Sequence, residues 1–188
     1  MGILREKLKA SLLLITLLFT GNVFAGDVAG NVIRVKGTVS IAEAPLATGD
    51  VVREGDTIIT APGSGAQFQM KDGAIIALAA DSSLTISSYN FNEANGEDDG
   101  VVLTLDKGSI RTITGDSEKE NYMLETPTAQ VRIQGTVFDV QSSDNSIIIL
   151  REGAVLVTSL CEGAASSNSQ LIDVPGTATT VTPCEEPS

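Results

Sequence analysis

A chain of 188 residues with 24 acidic and 12 basic side chains, no His and no Trp carries a formal charge of −12. That surplus repels phosphate backbones and anionic lipid, which argues against nucleic acid as a partner. Without His there is neither the commonest general base nor the usual zinc ligand, and the length suits one domain.

The N-terminus reads as an export signal. Arg5, Lys7 and Lys9 precede ten largely apolar residues at 10–19, and Val23-Phe24-Ala25 is a small-x-small cleavage signal. The pattern predicts a secretory signal peptide over residues 1–25, cut between Ala25 and Gly26. A membrane anchor is the alternative, but ten residues fall short of the roughly 20 that a bilayer core requires. Cleavage leaves 163 residues and moves the net charge to −14, because three bases and one acid depart. The residue after the cut is Gly26 and not Cys, which argues against a lipid anchor, and no later apolar run is long enough to span a membrane.

The rest reads as short strands and turns. Residues 32–41 alternate, with Ile33, Val35, Gly37, Val39 and Ile41 on one face. Gly49-Asp50 and Gly55-Asp56 are turns feeding strands, and residues 58–60 form one of these. Residues 66–70 alternate again, and Asp72-Gly73 joins them to 74–78 in a hairpin expected to use a type I′ turn. Leu84 and Ile86 belong to a further strand. Residues 92–100 hold four acids and should form an exposed loop. Val101, Leu103 and Leu105 share a face, Asp106-Lys107-Gly108 reads as a turn, and 110–113 return. Pro127 belongs at a strand edge.

The most patterned stretch is 126–158. From Ala129 to Val137 the odd positions are apolar, and from Phe138 the even ones take over. One extra residue at Gly135-Thr136 accounts for the slip, so these two are expected to form a bulge or corner that swings the strand onto a new face. Residues 147–150 are a continuous apolar run, as for a strand covered on both faces. Glu152-Gly153 is expected to turn the next strand back beside it. Cys161 and Cys184 form an even pair in an exported chain and read as a disulfide closing residues 161–188 into a tail. A redox or metal pair is the alternative, though the spacing is far from C-x-x-C. Recurrent turn signals without helical periodicity predict an all-β fold: an antiparallel, jelly-roll-like β-sandwich over 26–160, with a β-helix-like stack as the rival.

With these residues in place, the chain resembles the FecR domain family. The resemblance rests on Gly37-Thr38-Val39, the two Gly-Asp turns, the Asp72-Gly73 hairpin, and Thr126-Pro127 with Ala129. Residues 131–140 (VRIQGTVFDV) and Glu152-Gly153-Ala154-Val155 complete it. It implies the fold and a role as a binding or relay module in the cell envelope. The best-known relatives regulate extracytoplasmic sigma factors in iron-uptake signalling through a cytoplasmic helical region, a membrane span and this periplasmic β domain. Here the signal peptide leads straight into the β domain, so anti-sigma activity is not expected to carry over.

No catalytic motif follows from the family or from the residues. There is no Gly-x-Ser-x-Gly elbow, and Gly63-Ser64-Gly65 lacks the Lys and helix of a phosphate loop. An enzyme is therefore the third reading. The first is a non-catalytic, exported module, periplasmic or extracellular, that binds a protein partner without a cofactor. The second is a glycan- or calcium-binding surface domain. Glu93, Asn95, Glu97, Asp98 and Asp99 offer oxygen donors of the kind Ca²⁺ takes, and a solvated hairpin tip is the plain alternative.

Overall fold

The computed structural model describes residues 26–91, 100–115, 121–160 and 169–183. The signal-peptide residues through Ala25, the acidic-loop residues Glu93, Asn95, Glu97, Asp98 and Asp99, and the pair Cys161 and Cys184 lie outside the described residues. No helix among those described is long and apolar enough to cross a membrane.

The chain alternates between two sheets, A and B, whose inner faces share one core. β1 (Val28–Lys36) lies in A. β2 (Val39–Ile41) and β3 (Ala44–Pro45) lie in B, β4 (Val51–Arg53) in A and β5 (Thr57–Thr60) in B. A hairpin of β6 (Gly65–Met70) and β7 (Ile75–Leu78) returns to A, and β8 (Ser83–Asn90) to B. β9 (Gly100–Ile113) begins in B and ends in A. β10 (Tyr122–Glu125) and β11 (Ala129–Ile133) are in B, and β12 (Val137–Ser142) and β13 (Ser146–Glu152) in A. β14 (Val155–Ser159) and β15 (Ser169–Ile172) are in B, and β16 (Ala178–Val181) closes A.

Sheet A runs β4-β1-β6-β7-β9-β12-β13-β16. Sheet B runs β3-β2-β5-β8-β9-β10-β11-β14-β15. All pairings among the described residues are antiparallel except β9 with β10. The protein is thus an all-β, sandwich-like fold, paired as an antiparallel sandwich and not as a parallel stack.

Period-two patterning explains the layers. Leu103, Leu105, Leu124, Val131 and Ile133 project inward from B and meet Phe68, Ile76, Ile110, Phe138 and Val140 from A. Each of these large apolar side chains contributes about 1.5–3 kcal/mol when fully buried. Every crossover between sheets that lies wholly in described residues contains a residue at positive φ. Glycine fills this place in eight (Gly37, Gly49, Gly55, Gly63, Gly108, Gly135, Gly153, Gly176) and Asp81 in the ninth. A left-handed residue reverses the strand's path sharply, and glycine does so without the Cβ penalty of about 1–2 kcal/mol.

Four expectations about strands and their connections need correction here. Residues 106–108 are not a hairpin turn: β9 is one strand of 14 residues that changes sheets there. Its register against β8 shifts between Leu105 and Lys107, and Gly108 has φ +98. A Cβ on Gly108 would fall on Ser82, whose Oγ accepts the Ser109 N–H at 3.0 Å. Secondly, Glu152-Gly153 does not fold β14 back beside β13, because β14 crosses to the other sheet and pairs with β11. Thirdly, β1 carries a register shift between Val32 and Arg34, so Val32 is buried and Ile33 is 41% exposed. Finally, residues 147–150 are covered on one face only: Ile148 and Leu150 are buried, while Ile147 and Ile149 face outward and are half-buried.

Candidate functional site

Two of the sequence-marked corners meet at one end of the sandwich. Gly135 (φ +74) and Thr136 link β11 to β12, and Gly153 (φ +83) links β13 to β14. A Cβ on Gly153 would fall on the Gly135 carbonyl oxygen, so the two crossovers touch backbone to backbone. The Gln134 N–H donates to Ala154 O at 3.0 Å. The Thr136 N–H donates to Thr114 Oγ1 at 2.9 Å. Glu152 ends β13 and is exposed. These residues hold a junction together and present no cleft.

Asp72 and Gly73 join β6 to β7, but the turn is not type I′. Only Gly73 has positive φ, and its N–H closes the turn on Met70 O at 3.0 Å. Asp72 is held otherwise: its Oδ1 accepts the Ala74 N–H at 3.1 Å and the Tyr89 hydroxyl at 2.6 Å, and it is 2% exposed. Burial and the Asp72 carboxylate push the Tyr89 hydroxyl far above its ordinary pKa. Burial chiefly, and Asp72 secondarily, does the same to Tyr122, whose hydroxyl has no hydrogen-bond partner among the described residues. Gly26, the first described residue, accepts from Arg53 Nη1 at 3.2 Å.

Thr126 is the hub of the β10–β11 turn. Its Oγ1 accepts the Ala129 N–H at 2.9 Å and the Ser146 hydroxyl at 2.7 Å, and Thr128 donates to Ser146 at 2.7 Å. Pro127 sits exposed at the tip, where its missing N–H costs nothing.

A charged cluster open to solvent lies on the outer face of sheet A, and sequence reasoning missed it. Arg111 on β9 donates from Nε and Nη2 to the two oxygens of Asp139 on β12, at 2.5 and 2.8 Å. Arg151 on β13 donates from Nε and Nη2 to Asp139 Oδ2, at 2.9 and 2.7 Å. The Arg111 guanidinium foremost, and Arg151 after burial's opposing effect, hold the Asp139 carboxyl below its ordinary pKa. Beside this cluster lies a groove of about 390 Å³, floored by Ala77 and Ser109 and flanked by Gln67, Gln141 and Ile149. The signal available in the sequence was one charged residue at an outward position on each of three otherwise alternating strands. Among the described residues no group of three or more His, Cys, Asp or Glu is placed to hold a metal ion.

Comparison with known proteins gives one family match: the model described as FecR protein covers residues 56–156, just over half of the chain. No curated protein matches. Two crystal structures of a provisionally assigned anti-sigma factor from Parabacteroides distasonis ATCC 8503 are similar. Each shows 16% identity over 68% of this chain, with a TM-score of 0.45. The chain spans 59% of the length of those structures' chains.

Proposed function

This chain belongs to the FecR protein family, and from that premise we propose that it is a non-catalytic, exported module that binds a protein partner in the cell envelope and relays a signal. The observation that carries the reading is the open groove on sheet A. It lies within the family-matched strands and is edged by a charge cluster able to recognise polar groups. The two carboxylates most tightly engaged in the described fold are poorly suited to acid–base work. Asp72 is buried against Tyr89, and Asp139 is held ionised by two guanidiniums, the opposite of what a general acid requires. The export pattern at residues 1–25 supports a mature chain outside the cytoplasm that begins at Gly26.

Crosslinking of the exported chain in its native cell, followed by affinity recovery and mass spectrometry, is expected to return the same envelope protein from independent cultures. N-terminal sequencing of the recovered chain is expected to begin at Gly26. Background proteins alone would overturn the binding role, and a chain retaining residues 1–25 would overturn the export.

A further inference from the structure

The outer face of sheet A differs in charge and apolarity from what the whole chain leads one to expect. In register across seven strands lie Arg34, Gln67, Ala77, Arg111, Asp139, Ile149 and Ala178. Lys36 lies two residues beyond Arg34 on β1, and Arg151 two beyond Ile149 on β13. Four cations therefore share this face with Asp139 and the rim residue Glu152, in a chain whose net charge is −12. The face is also apolar: Ile113 is 45% exposed and Ile33 41%, and Ile147 and Ile149 face outward from a strand whose composition suits burial on both sides. No described layer covers it.

Arg34 and Lys36 make no hydrogen bond or ion pair among the described residues. Each guanidinium of the Arg111–Asp139–Arg151 cluster commits two of its five N–H groups to Asp139 and keeps three. Small residues lie between the two basic edges. Arg34 and Arg111 stand three strand spacings apart, about 14 Å, with Gln67 and Ala77 between them. We propose that this face docks an extended protein segment whose sheet-facing side chains, every second residue, are carboxylates interspersed with apolar groups. The carboxylates would pair with Arg34 or Lys36 on one side and Arg111 or Arg151 on the other, and the apolar groups would cover the isoleucines. Asp139 acts as an internal competitor that holds the two guanidiniums in place until a partner's carboxylate shares them. An anionic membrane is the less favoured occupant, because the net charge of the chain repels it.

This proposal rests on the reading of the protein as a binding module and names the surface. The probe is a soluble peptide with glutamate and isoleucine taking turns at every second residue and serine between them, so that both face the sheet in extended form, measured by calorimetry against the same peptide with lysine in place of glutamate, and against phosphatidylglycerol vesicles. The glutamate peptide is expected to bind, and the lysine peptide and vesicles are not. Arg111→Gln with Arg151→Gln is expected to weaken binding tenfold or more, and Arg34→Gln with Lys36→Gln, at residues without partners in the fold, at least threefold. Asp139→Asn is expected to strengthen binding severalfold, which a purely structural role for Asp139 would not produce. Binding unchanged by either arginine or lysine replacement, weakened by Asp139→Asn, or seen only with vesicles would overturn the proposal. An envelope partner crosslinking to the outer face of sheet B at Ile59, and not to Ile113, would overturn this surface while leaving the binding function intact.

Discussion

Gly153 shows how much of this fold hangs on single backbone positions. Its φ of +83 already taxes any other residue, and the Gly135 carbonyl occupies the space a Cβ would need. The obstruction is backbone, so no rotamer change relieves it. Gly153→Ala is expected to cost about 2–5 kcal/mol, combining the left-handed penalty with overpacking. Gly49 has a similar φ of +96 with nothing within reach of a Cβ, so Gly49→Ala should cost only about 1–2 kcal/mol. Urea midpoints of the two variants separate steric from conformational cost, and equal shifts would show that the crossovers do not touch. Gly135→Val, a β-branched residue at φ +74, is expected to leave no folded domain by circular dichroism.

At the scale of elements, alternation was legible in most strands that stay in one sheet; it fails in β1, where a register shift interrupts it, and where strands change sheet. The slip at Gly135-Thr136 is visible because six regular positions, Ala129 to Gln134, precede it. The same slip occurs in β9, where inward residues pass from Val101, Leu103 and Leu105 to Ile110 and Thr112. There, Asp106-Lys107-Gly108 looks like a hairpin turn, since turn and sheet switch demand the same left-handed glycine. Pairing partners such as β11 with β14 are nonlocal, and local residue preferences carry no trace of them. Of the candidate site, the sequence showed the charged outward positions but not that Arg111, Asp139 and Arg151 are neighbours, because three separate strands contribute them. The Thr126 motif was legible as a pattern, and the structure supplies its cause in the hydroxyls that tie the β10–β11 turn to β13. Thr126→Val strands the Ala129 N–H and removes the Ser146 acceptor, and is expected to cost about 1–3 kcal/mol. Thr126→Ser, which keeps the oxygen, should recover most of that loss in the same denaturant titration.

For the whole molecule, stability is bounded by pH on both sides, and different groups set the two limits. On the acid side, the Asp139 carboxyl is held below its unfolded value, near 3.9. Its contribution is present above that pH and fades as pH falls through the folded value. Arg111 and Arg151 are about half exposed at 55% and 47%, so each pair contributes no more than about 1 kcal/mol. Asp139→Asn is expected to lower the melting temperature slightly at neutral pH, and not at all once pH has fallen below the folded value. On the alkaline side the sign reverses. Tyr89 and Tyr122, the only two tyrosines in the chain, have hydroxyls raised by burial and by Asp72. The fold holds both neutral, so their contribution is complete below the unfolded value near pH ~10 and is lost as pH rises beyond it. With no Trp present, tyrosinate absorbance reports these two groups alone. It should appear together with loss of the β-sheet circular dichroism signal, in one cooperative step. Two tyrosinates forming near pH ~10 with the β signal intact would show that neither ring is sealed in the core.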